Sequence, residues 1–292
     1  MKKQSMPPSR NAAAVVTGAG SGIGRSFAYE LARRGGSVIC ADINAERAEQ
    51  IAASLQSLGS TAIARHCDVG DAEQMKSLSD EAEQLLGRPV TLVINNAGVG
   101  LGGPIGEVSL EDWQWCMNVN LWGVIHGIRA FVPILLEQDE PGHVVNTCSM
   151  AGLINMPFSG AYNVSKHAAL SLSETLYHEL RLRQSPVGCS ALCPELIRTS
   201  IGRSDRNRPP HLKRPEEGLT SEATLAENAI REIIDRGLDP SVMAERVVTG
   251  IREDRFYLLA EPGSEWETAC HQRLDDIRER RNPTVGVITG DA

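Results

Sequence analysis

The beginning of this chain constrains its fold more than any other stretch. Residues 12–17, AAAVVT, form a short apolar run. It leads straight into Thr17-Gly-Ala-Gly-Ser-Gly-Ile-Gly24 and then into the helical pattern RSFAYELARRG. A short apolar run closed by glycines reads as a buried parallel strand. Strand, glycine turn and helix together make a phosphate-binding unit. The glycines let backbone approach a pyrophosphate, and the helix N-terminus offers free N–H groups and the positive end of its dipole. The spacing Gly18, Gly22, Gly24 differs from the G-x-G-x-x-G dinucleotide fingerprint. Gly18, Ser21, Gly22, Ile23 and Gly24 are the candidate cofactor contacts here.

The rest of the chain repeats the alternation. Further strands are expected at 37–41, 61–66, 90–94, 143–148, 187–193 and 255–260. Between them lie helical patterns at 44–58, 71–86, 109–137, 160–183, 219–236 and 241–252, with a last one at 264–281. Strands alternating with helices from end to end imply an α/β fold, a doubly wound Rossmann-like sheet, mostly parallel, with helices on both faces. No internal repeat or linker divides the chain. Residues 1–10 read as a floppy leader without the apolar stretch of a signal peptide. Residues 11–262 read as one Rossmann-like domain, and 263–292 as a terminal helix and tail. Within the domain, about 197–238 reads as a lid. Its first part, SIGRSDRNRPPHLKRP, is polar, rich in Arg and Pro and without periodicity, so either a substrate flap or a solvated insertion fits. Pro133 suggests a kink or a fraying end in its helix.

Asp42 closes the second strand, about twenty residues past the glycine turn. A carboxylate there accepts hydrogen bonds from the adenosine ribose hydroxyls and repels a 2′-phosphate. Ser21 rather than a cation precedes Gly22, so NAD is favoured over NADP. The alternative is that Asp42 caps the next helix, although Asn44 can do that. Asp68 is placed to accept from the adenine amino group while Val69 packs on the ring. Asn95, Ala97 and Gly98 follow the fourth strand, where small residues permit close backbone approach. Asp71 with Gln74 resembles a capping box.

Composition narrows the partners. Net charge is −8, with no basic block beyond Lys2-Lys3, which argues against nucleic acid or an anionic membrane. No run reaches the roughly 18 apolar residues of a membrane span. Seven cysteines, an odd number mostly within apolar segments, fit free thiols in a reducing cytoplasm. Cys189 and Cys193 are four apart but within an expected strand, and no second Cys or His pair stands at ligand spacing, so no metal is expected.

The chemistry concentrates in SMAGLINMPFSGAYNVSKH, residues 149–167. Tyr162 and Lys166, four apart on a helix, share one face. An ammonium beside a phenol favours phenolate, so the tyrosine pKa is expected to fall from ~10 toward neutrality. Such a tyrosine exchanges a proton with an alcohol or carbonyl. Ser149 follows the fifth strand, where its hydroxyl can reach a substrate oxygen.

Taken in order, TGAGSGIG (17–24), CDV (67–69), NNAG (95–98), VNLWG (119–123), Ser149 and YNVSK (162–166) resemble the short-chain dehydrogenase/reductase family over roughly residues 10–260. The resemblance implies a seven-stranded sheet, a nicotinamide cofactor and a homodimer or homotetramer. It implies Tyr162 as acid/base, Lys166 as the ribose-binding and pKa-lowering residue, Ser149 as the substrate-oxygen anchor and Asn120 as holder of a water in the proton relay. Tyr162 and Lys166 also count among the cofactor contacts, as do Pro194, Ile197 and Thr199 after the sixth strand. One departure stands there: Glu195 occupies a position that is often glycine, which weakens the contacts expected of Ile197 and Thr199. FVPILLEQDEPGHVV (131–145), the long lid and RFYLLAEP (255–262) resemble bacterial NAD-dependent members that oxidise bulky benzylic alcohols.

The expected function is NAD-dependent interconversion of a secondary alcohol and a ketone, on a bulky apolar or aromatic small molecule. Leu153, Ile154, Met156 and Phe158 are the expected apolar lining. An NADPH-dependent ketone reductase and a non-catalytic nucleotide-binding sensor on the same fold are the alternatives.

Overall fold

The structure, a computed structural model, describes residues 12–138, 140–212 and 221–284. The leader 1–10, the later part of the polar lid segment at 213–220 and the end of the tail at 285–292 lie outside the described residues. Seven strands form one sheet: β1 (Ala13–Thr17), β2 (Ser37–Asp42), β3 (Ala62–His66), β4 (Leu92–Asn95), β5 (Gly142–Thr147), β6 (Val187–Leu192) and β7 (Tyr257–Leu258). Their order is β3-β2-β1-β4-β5-β6-β7. Every pairing is parallel, so the expected mostly parallel sheet is wholly parallel. The last strand is shorter than its apolar run, spanning two residues.

The helices are α1 (Gly22–Arg33), α2 (Ala45–Ser57), α3 (Ala72–Leu86), α4 (Leu110–Met117), α5 (Gly123–Glu137), α6 (Gly160–Leu182), α7 (Ser221–Asp235), α8 (Ser241–Arg252) and α9 (Glu265–Glu279). Phe27, Ala28 and Leu31 of α1, Ile51 and Leu55 of α2, and Met243 and Val247 of α8 bury one face of the sheet. Met75 and Leu78 of α3, Phe131 and Leu135 of α5, and Leu176 and Leu180 of α6 bury the other. The repeats at three and four residues along these helices are what the two-faced sheet requires.

Local signals act as expected at several ends. Asn44, not Asp42, caps α2 by accepting from Arg47 N (2.8 Å). Asp71 caps α3, and Gln74 reaches back both to Asp71 Oδ2 (2.9 Å) and to the backbone N–H of Asp68 (2.9 Å). Helix α5 continues past Pro133 to Glu137.

The helical stretch 109–137 differs from its sequence pattern. It is α4, then a π-helical turn at Asn118–Trp122, then α5. Taken as one run, Leu110–Glu137 is long and apolar enough to cross a membrane by length and composition, contrary to the expectation that no run reaches that length. Here Val124 and Phe131 of its apolar face are buried among the core residues. That is how a core helix passes the same test.

Reversal of strand order between β1 and β4 leaves a crevice at the carboxyl ends of the strands, where ligands bind in open α/β sheets. A cleft of about 520 Å³ opens there.

Candidate active site

The glycine turn forms one part of the cleft wall. Gly18 has φ +65° and Gly22 φ +53°, conformations that disfavour side chains. A Cβ on Gly18 would lie 2.8 Å from Ala97 Cα, and one on Gly24 would lie 2.2 Å from Gly18 O. Gly18, Ser21, Gly22 and Ile23 line the cleft. Gly24 does not: it lets helix α1 pack against the turn. Ser21 caps α1 without a side-chain bond, so the first N–H groups of α1 are left for a phosphate. This cradle fits the pyrophosphate of a dinucleotide.

Asp42 ends β2, is 8% exposed and lines the cleft. Its Oδ2 accepts from Gly20 N (2.8 Å) and its Oδ1 from Asn44 N (2.9 Å). The carboxylate is thereby fixed at the edge of the glycine turn. Ser21 leaves no cation at the turn before Gly22, but the folded chain brings Arg47 and Arg206 near Asp42. Arg206 of the lid lines the cleft and stands close enough to feel the charges of both Arg47 and Asp42. Only folding brings residues 42, 47 and 206 together, so no local signal could have found Arg206.

Asp68, Val69, Ala97 and Gly98 line the cleft as expected. Asn95 does not. It is 3% exposed, donates from Nδ2 to Asn146 Oδ1 (2.8 Å) and packs beneath Gly127 of α5. Alternation along a strand turns neighbouring side chains to opposite faces, and it is Asn96 that lines the cleft and ties it to β1 through Thr17.

Ser149, Tyr162 and Lys166 all line the same cleft. Ser149 lies just beyond β5, its Oγ accepting from Ala151 N (3.1 Å). Lys166 is 2% exposed, donates from Nζ to Thr147 O (2.9 Å) and sits 5.7 Å from the Tyr162 ring centroid. The expected fall of the Tyr162 pKa is not what the protein alone produces. Burial pushes the phenol up to about 12, against a hydrogen bond with Ser149 that pulls it down. Burial also lowers the Lys166 pKa, opposed by the Cys148, Cys116 and Cys193 thiols. Desolvation of both groups outweighs their proximity.

Asn120 lies behind the cleft wall, fully buried. Its Oδ1 accepts from Val99 N (2.8 Å), and its Nδ2 donates to Val99 O (3.0 Å) and Ser165 Oγ (3.1 Å). The side chain is thus used within the protein, fastening the loop after β4 to α6. A π turn is a frequent mark of a functional site, and Asn120 sits inside this one.

Pro194, Ile197 and Thr199 line the cleft, and Glu195 stands among them. The Glu195 carboxylate pairs with Arg246 of α8 (2.6 Å). The residue in glycine's usual place is therefore neutralised by its own partner, and Thr199 still packs against the glycine turn at Gly22.

The remaining wall is mixed: apolar Leu101, Trp115, Met156, Leu212, Ile230 and Trp266 stand beside polar Gln114, Asn207 and His211. Of the four apolar residues expected there, only Met156 lines the cleft. Ile154 is buried in the core at 1% exposure, Leu153 packs on the apolar cluster around Met150, Leu170 and Ala191, and Phe158 is 43% exposed with φ +58°. The lid segment forms 3₁₀ turns at Ile201–Asn207 and Pro210–Leu212, and Ile201 and Leu212 face the cleft. Ile230, Ile233 and Ile234 of α7 also line the cleft; the sequence shows only a helical pattern there. Trp266 of α9 carried no signal.

Three comparisons bear on this site. The short chain dehydrogenase family model matches residues 12–209. The C alpha-dehydrogenase of Sphingobium sp. is 32% identical over 250 residues, covering 85% of this chain and 80% of that protein. The 1-deoxy-11-beta-hydroxypentalenate dehydrogenase of Streptomyces exfoliatus is 35% identical over 271 residues, covering 91% and 88%. Among solved structures, a short chain dehydrogenase/reductase from Burkholderia phymatum in complex with NAD superposes with a TM-score of 0.92 at 40% identity, covering 97% of this chain and 99% of that one.

Proposed function

The chain belongs to the short-chain dehydrogenase/reductase family and is an oxidoreductase on a nicotinamide-binding fold, and we propose that it interconverts a secondary alcohol and its ketone with NAD. One observation carries this reading: the glycine turn, Asp42, Ser149, Tyr162 and Lys166 line a single cleft. A pyrophosphate cradle and a proton-exchanging phenol open onto one volume.

Each residue has a task. The glycine turn and the N-terminus of α1 hold the pyrophosphate. Asp42 accepts from the adenosine ribose hydroxyls, and Lys166 holds the nicotinamide ribose. Ser149 hydrogen-bonds the substrate oxygen and fixes it against the Tyr162 hydroxyl. In ketone reduction Tyr162 donates its proton to that oxygen; in alcohol oxidation its phenolate takes the proton back. Burial raises the phenol's pKa, which favours the proton-donor form over the phenolate. The bound nicotinamide supplies hydride exchange and, when oxidised, a positive charge that favours phenolate.

The apolar wall of Trp115, Met156, Leu212, Ile230 and Trp266 suits a bulky apolar or aromatic substrate. The dehydrogenase names of the two relatives are in keeping with alcohol oxidation, and the NAD in the Burkholderia phymatum structure with the cofactor. The second reading, an NADPH-dependent reductase, draws on Arg206 and Arg47 beside Asp42. The test is turnover of a panel of aliphatic, cyclic and aryl secondary alcohols with either cofactor. The proposal expects reduced nicotinamide from NAD with aryl alcohols. Tight NADH binding without turnover on any alcohol or ketone would point to the sensor reading instead.

A further inference from the structure

The lid carries a charge where charge is costly. Arg208 lies between the two 3₁₀ turns with its side chain 3% exposed, and the side chain of its partner Asp112 is 8% exposed. Arg208 Nη1 donates to Asp112 Oδ1 (2.5 Å) and to Leu212 O (3.3 Å), while Nε donates to Asp205 Oδ1 (2.9 Å). The guanidinium also lies 4.2 Å from the centroid of the Trp115 ring. Asp112 and Trp115 are three residues apart on α4, so one helix face presents both. A buried guanidinium is unfavourable unless several partners compensate it. Only a planar, forked cation can pair with a carboxylate and stack on an indole together.

The clamp joins parts of the cleft that are distant in sequence. Trp115 and Leu212 both line its apolar wall, and Arg208 touches both. The lid's turns are short 3₁₀ segments, and residue Arg203 within the first departs from helical geometry. Such turns have little internal stability of their own, so their position depends on side-chain anchors of this kind. Ser204 provides a neighbouring tie, its Oγ accepting from Gly100 N (2.9 Å).

We propose that Arg208 is a positioning residue for the substrate: it fastens the lid to α4 and fixes the Trp115 and Leu212 walls of the cleft. The proposal rests on the reading of that apolar region as the alcohol site. It separates the two halves of the ligand set, because Arg208 touches none of the residues assigned to the cofactor.

The test uses the full-length wild type and the variants R208M, R208K and D112N. Hydrogen exchange by mass spectrometry is followed with and without NADH, with the NADH dissociation constant measured alongside. In R208M and D112N, peptides covering 203–212 and 110–117 exchange about tenfold faster or more, while those of β1, α6 and 194–200 keep wild-type rates. R208K, which keeps the charge but not the fork, falls between. With NAD and 1-phenylethanol as probe, KM for the alcohol rises about tenfold while kcat and the NADH dissociation constant change by less than about threefold. Wild-type exchange in 203–212 of R208M and D112N would overturn the proposal. So would faster exchange with an unchanged alcohol KM, which would reduce Arg208 to a structural tie. A wild type silent on 1-phenylethanol contradicts the aryl-alcohol reading instead, and the exchange pattern still decides the clamp.

Discussion

Arg246 donates to both carboxylate oxygens of Glu195, at 2.6 and 3.0 Å, with the two side chains 11% and 7% exposed. The same guanidinium reaches Glu261 at 3.1 Å. Glu195 begins the segment after β6 that lines the cleft, Arg246 belongs to α8, and Glu261 follows β7. One ion network thus pins the loop beneath the proposed nicotinamide site to the far edge of the sheet. Arg246→Met leaves Glu195 buried without a partner and should cost ~3–5 kcal/mol. The double variant E195G/R246M should recover most of that loss. Urea denaturation of the three proteins checks both statements, and an R246M midpoint equal to wild type would contradict them.

His143 gives the fold a pH-dependent weakness. It is buried at 4% exposure, its Nε2 pairs with Ser190 Oγ (2.8 Å), and burial pushes its pKa down to about 4 from 6.5. A depressed folded-state pKa contributes stability that is present above the unfolded value and lost as pH falls toward the folded one. Between pH 7 and pH 5 that loss should be ~2 kcal/mol. Denaturant midpoints of wild type and His143→Gln at the two pH values measure it. The variant should lose less stability than wild type over that interval.

Asn120 couples the π turn to the loop after β4 through Val99 and Ser165. Asn120→Leu leaves Val99 N–H and C=O buried without that partner, at ~1–3 kcal/mol for each unsatisfied group. The loop beginning at Val99 lines the cleft, so kcat should fall with stability. Asn120→Ser restores neither bond at full reach and should behave similarly. A variant that melts like wild type and turns over normally would contradict this role.

Asp42 holds Gly20 N–H and Asn44 N–H as well as facing the cleft. Asp42→Ala should weaken NADH binding by about tenfold, as expected for a lost hydrogen bond to a charged group. It should also strengthen NADPH binding, because Arg47 and Arg206 remain beside the vacated position. Fluorescence titration of the two reduced cofactors reads both changes.

What could be read from the chain alone followed from local rules. The strand, glycine turn and helix at 12–33, the Asn44 and Asp71 caps, and the helical pairing of Tyr162 with Lys166 each depend on residues a few positions apart. The strand alternation then placed their carboxyl ends along one crevice. What stayed hidden needed tertiary contact. The small residues after Asn95 suggest a cofactor contact there, yet side-chain alternation on β4 turns Asn95 inward to Asn146. The π turn at Asn118–Trp122 adds one residue to a single turn, too small a phase shift to stand out in an apolar run this long. Trp266 and Arg206 reach the cleft from segments more than a hundred residues after the glycine turn. The Tyr162–Lys166 spacing reports a neighbouring charge but not the desolvation of both groups, which acts in the opposite direction on Tyr162.

The central claim, that Tyr162 exchanges the proton while NAD takes the hydride, meets its most direct test in one comparison. Wild type and Tyr162→Phe are each offered a saturating aryl secondary alcohol with NAD or NADP, and reduced nicotinamide is followed with time. Wild type should turn over with a kcat/KM ratio favouring NAD, and Y162F should lose at least ~100-fold in kcat while binding NADH and melting as wild type does. A Y162F enzyme with near-wild-type kcat would contradict the account, and turnover confined to NADP would overturn the role given to Asp42.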